Sequence, residues 1–256
     1  MNTESLAHEP DLPAALVLHG GGGPRTVAPI AAHLAATRHV VAPTHPGWDG
    51  TDLPETLTSV AQLATAYLQL LVDDADTRRP ARGATLVGSS LGGWIALEMA
   101  VQAAADGFEG LIESVVVIDA VGVVVAGEPI ADFFSLSPRQ LAEVAWHDAD
   151  RGFIDPAALS EQARAIQAGN ARAMAAIAGR GMNDPGLLPR LAAIRVPTLV
   201  VWGASDGVVT PGYGRAIAGA VPGAQFVEIA EAGHLPHLER PDATWAAIDG
   251  FLAQRG

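Results

Sequence analysis

The strongest constraint on this chain is an alternation. Short runs rich in β-branched and aliphatic residues recur at Ala14 to His19, Val40 to Pro43, Ala84 to Gly88, Ser114 to Asp119, Thr198 to Gly203 and Ala224 to Ile229. Alanine-rich stretches with helical spacing lie between them at Pro24 to Thr37, Thr58 to Asp74, Leu91 to Ala105, Pro211 to Val221 and Pro241 to Gln254. Val60, Leu63, Ala64, Tyr67 and Leu71, for example, fall on one helical face. Continuous apolar strands alternating with helices predict an α/β protein: a mostly parallel central sheet covered by helices on both faces.

One segment breaks the rhythm. From Val121 to Arg195 no strand pattern appears, but Ser137-Pro138 and Asp155-Pro156 each read as a helix cap followed by proline at the first helical position. The segment 121–195 is therefore expected to be a helical cap inserted into a core made of residues 1–120 and 196–256. A chain of 256 residues, 49% apolar, suits one such unit with a sizeable core.

Composition removes several chemistries. There is no cysteine, hence no thiolate nucleophile or cysteine-held metal. All fifteen basic residues are arginine, so lysine Schiff bases and the P-loop lysine are unavailable. A net charge of −13 disfavours nucleic acid or an anionic membrane as partner. No apolar run approaches the roughly 20 residues of a membrane span. The stretch "MNTESLAHEPDLP" lacks a basic start and an apolar middle, so the expectation is a cytoplasmic protein, monomeric or homodimeric, acting on a small molecule.

Chemistry concentrates in "VGSSLGGW". Gly88-Ser89-Ser90-Leu91-Gly92 fits G-x-S-x-G with Ser90 at its centre, and the register centred on Ser89 would be flanked by Val87 and Leu91. An apolar strand leads in and a helical "LGGWIALEMAVQAA" leads out, the strand-turn-helix setting of a strained nucleophile elbow. A serine nucleophile needs a base and a group to orient that base. Among eight histidines His234, in "EAGHLP" after the last strand, is the best placed, with His237 its local rival. Asp206 follows the strand that begins near Thr198 and is the preferred carboxylate; Asp119, ending the preceding strand, competes. The glycines of "HGGGGP" follow the first strand, and the backbone N–H groups of Gly21 and Leu91 are the expected oxyanion donors.

Together, "LHGGGGP" at 18–24, "PTHPGWDGT" at 43–51, "VGSSLGGW" at 87–94, "VVWGASDGVV" at 200–209 and "EAGHLPHLERP" at 231–241 resemble the α/β-hydrolase superfamily over nearly the whole chain, in the order nucleophile, acid, histidine. The resemblance implies that fold and a Ser90-Asp206-His234 triad without cofactor or metal. Two features depart from it. Only eighteen residues precede "HGGGG", so the usual N-terminal antiparallel hairpin should be missing or reduced, and His45 stands where relatives commonly carry aspartate. Serine at the elbow argues against the haloalkane dehalogenases and typical epoxide hydrolases of the fold, which use aspartate.

The implied activity is that of a carboxylesterase-like serine hydrolase. Alternatives are carbon–carbon bond hydrolysis of the meta-cleavage type, a cofactor-free perhydrolase or lactonase, and a ligand-binding sensor on the same fold. Gly22, Trp48, Ser89, Phe133, Phe134, Trp146 and Val208 are expected to line the substrate pocket, while Trp94 and Trp202 belong to the core.

Overall fold

A computed structural model describes residues 12–78 and 83–254. Six strands, β1 (Ala14–Leu18), β2 (His39–Val41), β3 (Ala84–Ser89), β4 (Ile112–Ile118), β5 (Thr198–Gly203) and β6 (Gln225–Ile229), form one sheet in the order β2-β1-β3-β4-β5-β6. Every pairing is parallel. No antiparallel hairpin precedes β1 among the described residues; the first eleven lie outside them.

The strands read as unbroken apolar runs because both faces are covered, and their alternation sorts the core into two layers. Leu16, Leu18, Leu86, Val115, Val117, Val200 and Trp202 pack under α2 (Val60–Arg78), α3 (Leu91–Asp106) and α8 (Pro211–Ala220). Ala15, Val17, Val87, Val116, Ile118, Leu199 and Val201 face α1 (Ala28–Leu34) and α10 (Pro241–Ala253). Helix α3 runs through the middle of the protein, and twelve of its sixteen residues are buried. None of the described helices is long and apolar enough to cross a membrane.

Between β4 and β5 the chain is helical: α4 (Pro138–Ala145), α5 (Ala149–Gly152), α6 (Glu161–Ala178) and α7 (Leu187–Arg190). The two predicted caps have different outcomes. Ser137 accepts the Gln140 N–H while the Gln140 side chain accepts the Ser137 N–H, a reciprocal capping box that starts α4 and contributes about 1 kcal/mol. Asp155 caps only a single tight turn, Pro156–Ala158.

Sheet order also fixes where a site can form. From β1 the chain steps outward to β2 and then returns to the other side of β1 with β3. Connections leaving β1 and β3 therefore diverge to opposite faces and open a crevice at the carboxyl ends of these strands.

Candidate active site

Three loops meet above that crevice. Ser90, directly after β3, has φ 56° and ψ −119°, a strained conformation for a residue with a side chain. The flanking glycines explain how the turn closes. A Cβ at Gly88 would overlap the Gly92 carbonyl, and one at Gly92 would overlap the Leu18 carbonyl of β1. The elbow is thus compressed between its own helix and the neighbouring strand, which only glycine permits at both positions.

His234, between β6 and the short helix α9 (Pro236–Glu239), reaches Ser90 with Nε2 2.9 Å from Oγ. Its Nδ1 lies 2.8 Å from Asp206 Oδ2. A carboxylate only accepts, so Nδ1–H is the donor, and Nε2 carries the lone pair that accepts the Ser90 hydroxyl proton. Asp206 Oδ1 accepts the N–H groups of Val208 and Val209 at 2.8 and 3.2 Å, which fixes the carboxylate beside the imidazole. His237 turns away: its Nε2–H donates to the Thr26 carbonyl at 2.9 Å.

Asp119 sits beside this relay with φ 47° and no exposure. Oδ1 accepts the Gly203 N–H at 2.8 Å, whereas Oδ2 has no hydrogen-bond partner. Burial first, and the charge of Asp206 second, push its carboxyl well above the ordinary range. Donor atoms of Asp119, Asp206 and His234 all lie within 4.8 Å of one another. The imidazole offers no free lone pair on the side of the two aspartates, because Nδ1 carries the proton it donates to Asp206 and the Nε2 lone pair faces Ser90. The arrangement suits proton transfer better than metal ligation.

The glycine loop after β1 lies against the elbow: a Cβ at Gly20 would stand 2.9 Å from the Ser90 Cβ. Leu91 opens α3, so its N–H has no carbonyl one turn earlier to bond. Below the loop two histidines pack with tilted rings, their centroids 3.7 Å apart. His19 Nδ1–H donates to the Gly20 carbonyl at 2.7 Å and Nε2 accepts the His45 N–H at 3.0 Å. His45 Nε2–H donates to the His19 carbonyl at 2.9 Å and Nδ1 accepts the Tyr67 hydroxyl at 2.6 Å. Burial lowers the His19 pKa to about 4 and that of His45 well below 6.5, so both rings are neutral props of the loop.

Trp48 requires a correction. It does not line the cavity but is wholly buried under the loop, its indole N–H donating to the Gly21 carbonyl at 3.0 Å and its ring packed edge-on against His19 and His45. Gly21, Gly22, Ser89, Phe133, Phe134, Trp146 and Val208 do border a cavity of about 530 Å3 that contains Ser90 and His234. Phe133 and Phe134 stack at 4.6 Å; the Ser89 hydroxyl is buried without a partner.

Sequence reasoning missed much of the opposite wall. Gln167, Asn170, Ala171 and Met174 of α6 border the cavity, a helical stripe whose spacing was readable. Asn170 also accepts the Asp49 N–H at 2.9 Å, and a Cβ on Gly21 would strike Met174. Thr26, Leu136, Leu141, Leu159 and Leu235 add to a mainly apolar lining that, among the described residues, contains no arginine.

Known proteins resemble this chain in sequence and in fold. The model of the alpha/beta hydrolase family matches residues 15–247. A Mycobacterium tuberculosis protein named "Putative non-heme bromoperoxidase BpoC" is 29% identical over 268 residues, covering 94% of each chain. The enol-lactonase from Burkholderia xenovorans LB400 superposes with a TM-score of 0.74 at 24% identity, covering 98% of this chain and 95% of that one. The 2-hydroxy-6-oxo-6-phenylhexa-2,4-dienoate hydrolase from Rhodococcus sp. strain RHA1 gives 0.71 at 22%, covering 96% and 92%. At these identities the superpositions speak for the fold alone.

Proposed function

The chain belongs to the alpha/beta hydrolase family, and on that premise we propose that it is a serine hydrolase that cleaves carboxylic esters or closely related acyl compounds. The carrying observation is the unbroken relay from Ser90 through His234 to Asp206, with links of 2.9 and 2.8 Å. His234 Nε2 takes the Ser90 proton as Oγ attacks the carbonyl carbon. Asp206 steadies the imidazolium that results. The N–H groups of Gly21 and Leu91 receive the oxyanion, and the protonated His234 then hands its proton to the leaving alcohol. Water, deprotonated by the same His234, attacks the acyl-enzyme and regenerates Ser90.

The lining favours an uncharged substrate. A dienoate, the class in the name of the Rhodococcus protein, carries a carboxylate that would have to be desolvated, and among the described residues no arginine borders this cavity to receive it. An ester with an apolar acyl group meets Phe133, Phe134, Leu141 and Leu159 at no such cost.

The test is a panel of p-nitrophenyl esters graded in acyl length, a lactone and a dienoate, run beside a fluorophosphonate probe with Ser90→Ala as control. Turnover of neutral esters with labelling at Ser90 is the expected result. A protein that hydrolyses only the dienoate, or is not labelled, overturns the reading.

A further inference from the structure

Helix α4 borders the cavity with Leu141, Ala142 and Ala145, and Trp146 follows directly. Its last carbonyls, which no helical N–H can reach, are taken by the loops that carry the relay. The Val144 carbonyl accepts the N–H of Gly207, next to Asp206, at 2.8 Å, and the Ala145 carbonyl accepts the N–H of His234 itself at 2.7 Å. The fit is close enough to forbid a side chain at the contact: a Cβ on Gly233 would stand 2.8 Å from the Trp146 Cα.

A buried carboxylate completes the joint. Glu239, 4% exposed, accepts the Gly233 N–H on Oε1 at 2.6 Å and the His147 N–H on Oε2 at 2.9 Å. One side chain thus bridges the residue before His234 and the second residue after α4. Ser205 adds a link to each side, through its hydroxyl to His147 Nδ1 at 2.8 Å and through its N–H to the Ala232 carbonyl at 2.8 Å. On the other wall, by contrast, α6 meets the glycine loop through Met174 against Gly21 and the loop that carries Asp49 through Asn170.

We propose that Glu239 is a positioning residue that locks the end of helix α4 to the His234 loop, so that this wall of the cavity and the base move as one body. An acyl group seated against α4 then acts on the placement of His234, and fit on this wall is read in kcat more than in KM. The proposal rests on the hydrolase reading for its kinetic consequence, although the joint itself does not.

Glu239→Gln tests it. Glutamine offers one carbonyl oxygen where two are needed, and its amide group must face a second N–H. With active sites counted by fluorophosphonate labelling, kcat per labelled site is expected to fall on the order of 10- to 100-fold, the scale of an ångström's misplacement, while KM changes little. A merely structural glutamate would lower thermal stability and the labelled fraction but leave kcat per labelled site intact, and that result overturns the proposal. Hydrogen exchange of the unsubstituted protein, followed residue by residue, decides the matter even if the variant does not fold. The amides of His147, Gly207, Gly233 and His234 are expected to open together, and opening of His147 independently of the other three overturns it. Absence of labelling at Ser90 in the unsubstituted protein would sink the hydrolase reading, yet the exchange experiment would still judge the joint.

Discussion

His234 Nε2 lies 2.9 Å from Ser90 Oγ across 144 residues of sequence, and Ser90 meets it with a backbone held at φ 56°. Chemistry and strain are therefore separable at this position. Ser90→Ala should lower kcat by on the order of 10^4- to 10^6-fold while leaving the fold intact. Ser90→Gly should be equally inactive but more stable by about 1 kcal/mol, a rise of a few degrees in Tm measured by calorimetry, because glycine relieves the left-handed φ.

The two buried aspartates should respond differently to amidation. Asp206→Asn reverses the donor pattern facing His234 Nδ1 and favours the wrong tautomer, so kcat should fall about 10^4-fold. Asp119, whose carboxyl burial holds well above the ordinary range, uses Oδ1 to accept the Gly203 N–H, which asparagine can also do. Asp119→Asn should therefore cost less than about tenfold in kcat/KM, or roughly 1.4 kcal/mol. Steady-state ester kinetics on the two variants checks the contrast.

Acid should unfold this protein by charging its buried histidines. His19 and His237 are held by burial at about 4, below their unfolded value of 6.5, and His45 lies well below it too. Between those values the unfolded chain binds more protons, so stability is fully present above pH 6.5 and is lost as pH falls toward 4. His19 and His237 should each account for on the order of 3 kcal/mol of this loss. Asp119 has the opposite sign, since its folded carboxyl is raised: its contribution is present below pH 3.8 and declines as pH rises. The histidine contribution should show as denaturant midpoints that decrease from pH 7 to 4, with Asp119 opposing part of the loss.

Tyr67→Phe removes the donor to His45 Nδ1 and leaves a buried acceptor with nothing to accept. A loss of about 1–3 kcal/mol is expected by urea unfolding. Because His45 in turn holds His19 beneath Gly20, ester turnover should also weaken, with kcat affected more than KM.

What the sequence disclosed was periodicity and turn chemistry. All six strands and the five core helices lie within a few residues of where apolar spacing placed them, and the elbow register selected Ser90 because glycine is sterically required at 88 and 92. Trp48 was misplaced because composition does not tell a tryptophan that lines a cavity from one whose indole N–H finds a carbonyl inside; here that carbonyl belongs to Gly21. Met174 and Asn170 went unseen because α6 packs by tertiary contact rather than by a motif. Glu239 stood inside a quoted motif, but one of its two amide partners, His147, lies 92 residues away from it in sequence, a relation no local pattern encodes.

The order of the strands also bears on how the chain reaches this state. Ala15 pairs with Val40 on one side and Thr85 on the other, and Val116 with Leu199, so the central ladders join stretches far apart in sequence. Long loops must close before any such pairing is rewarded, and parallel sheets of this kind form slowly. Refolding from denaturant should proceed through collapsed intermediates with unpaired strand edges, in which aggregation competes with completion. Dilute, cool refolding should raise the recovered fraction more than any stabilising substitution in the finished core.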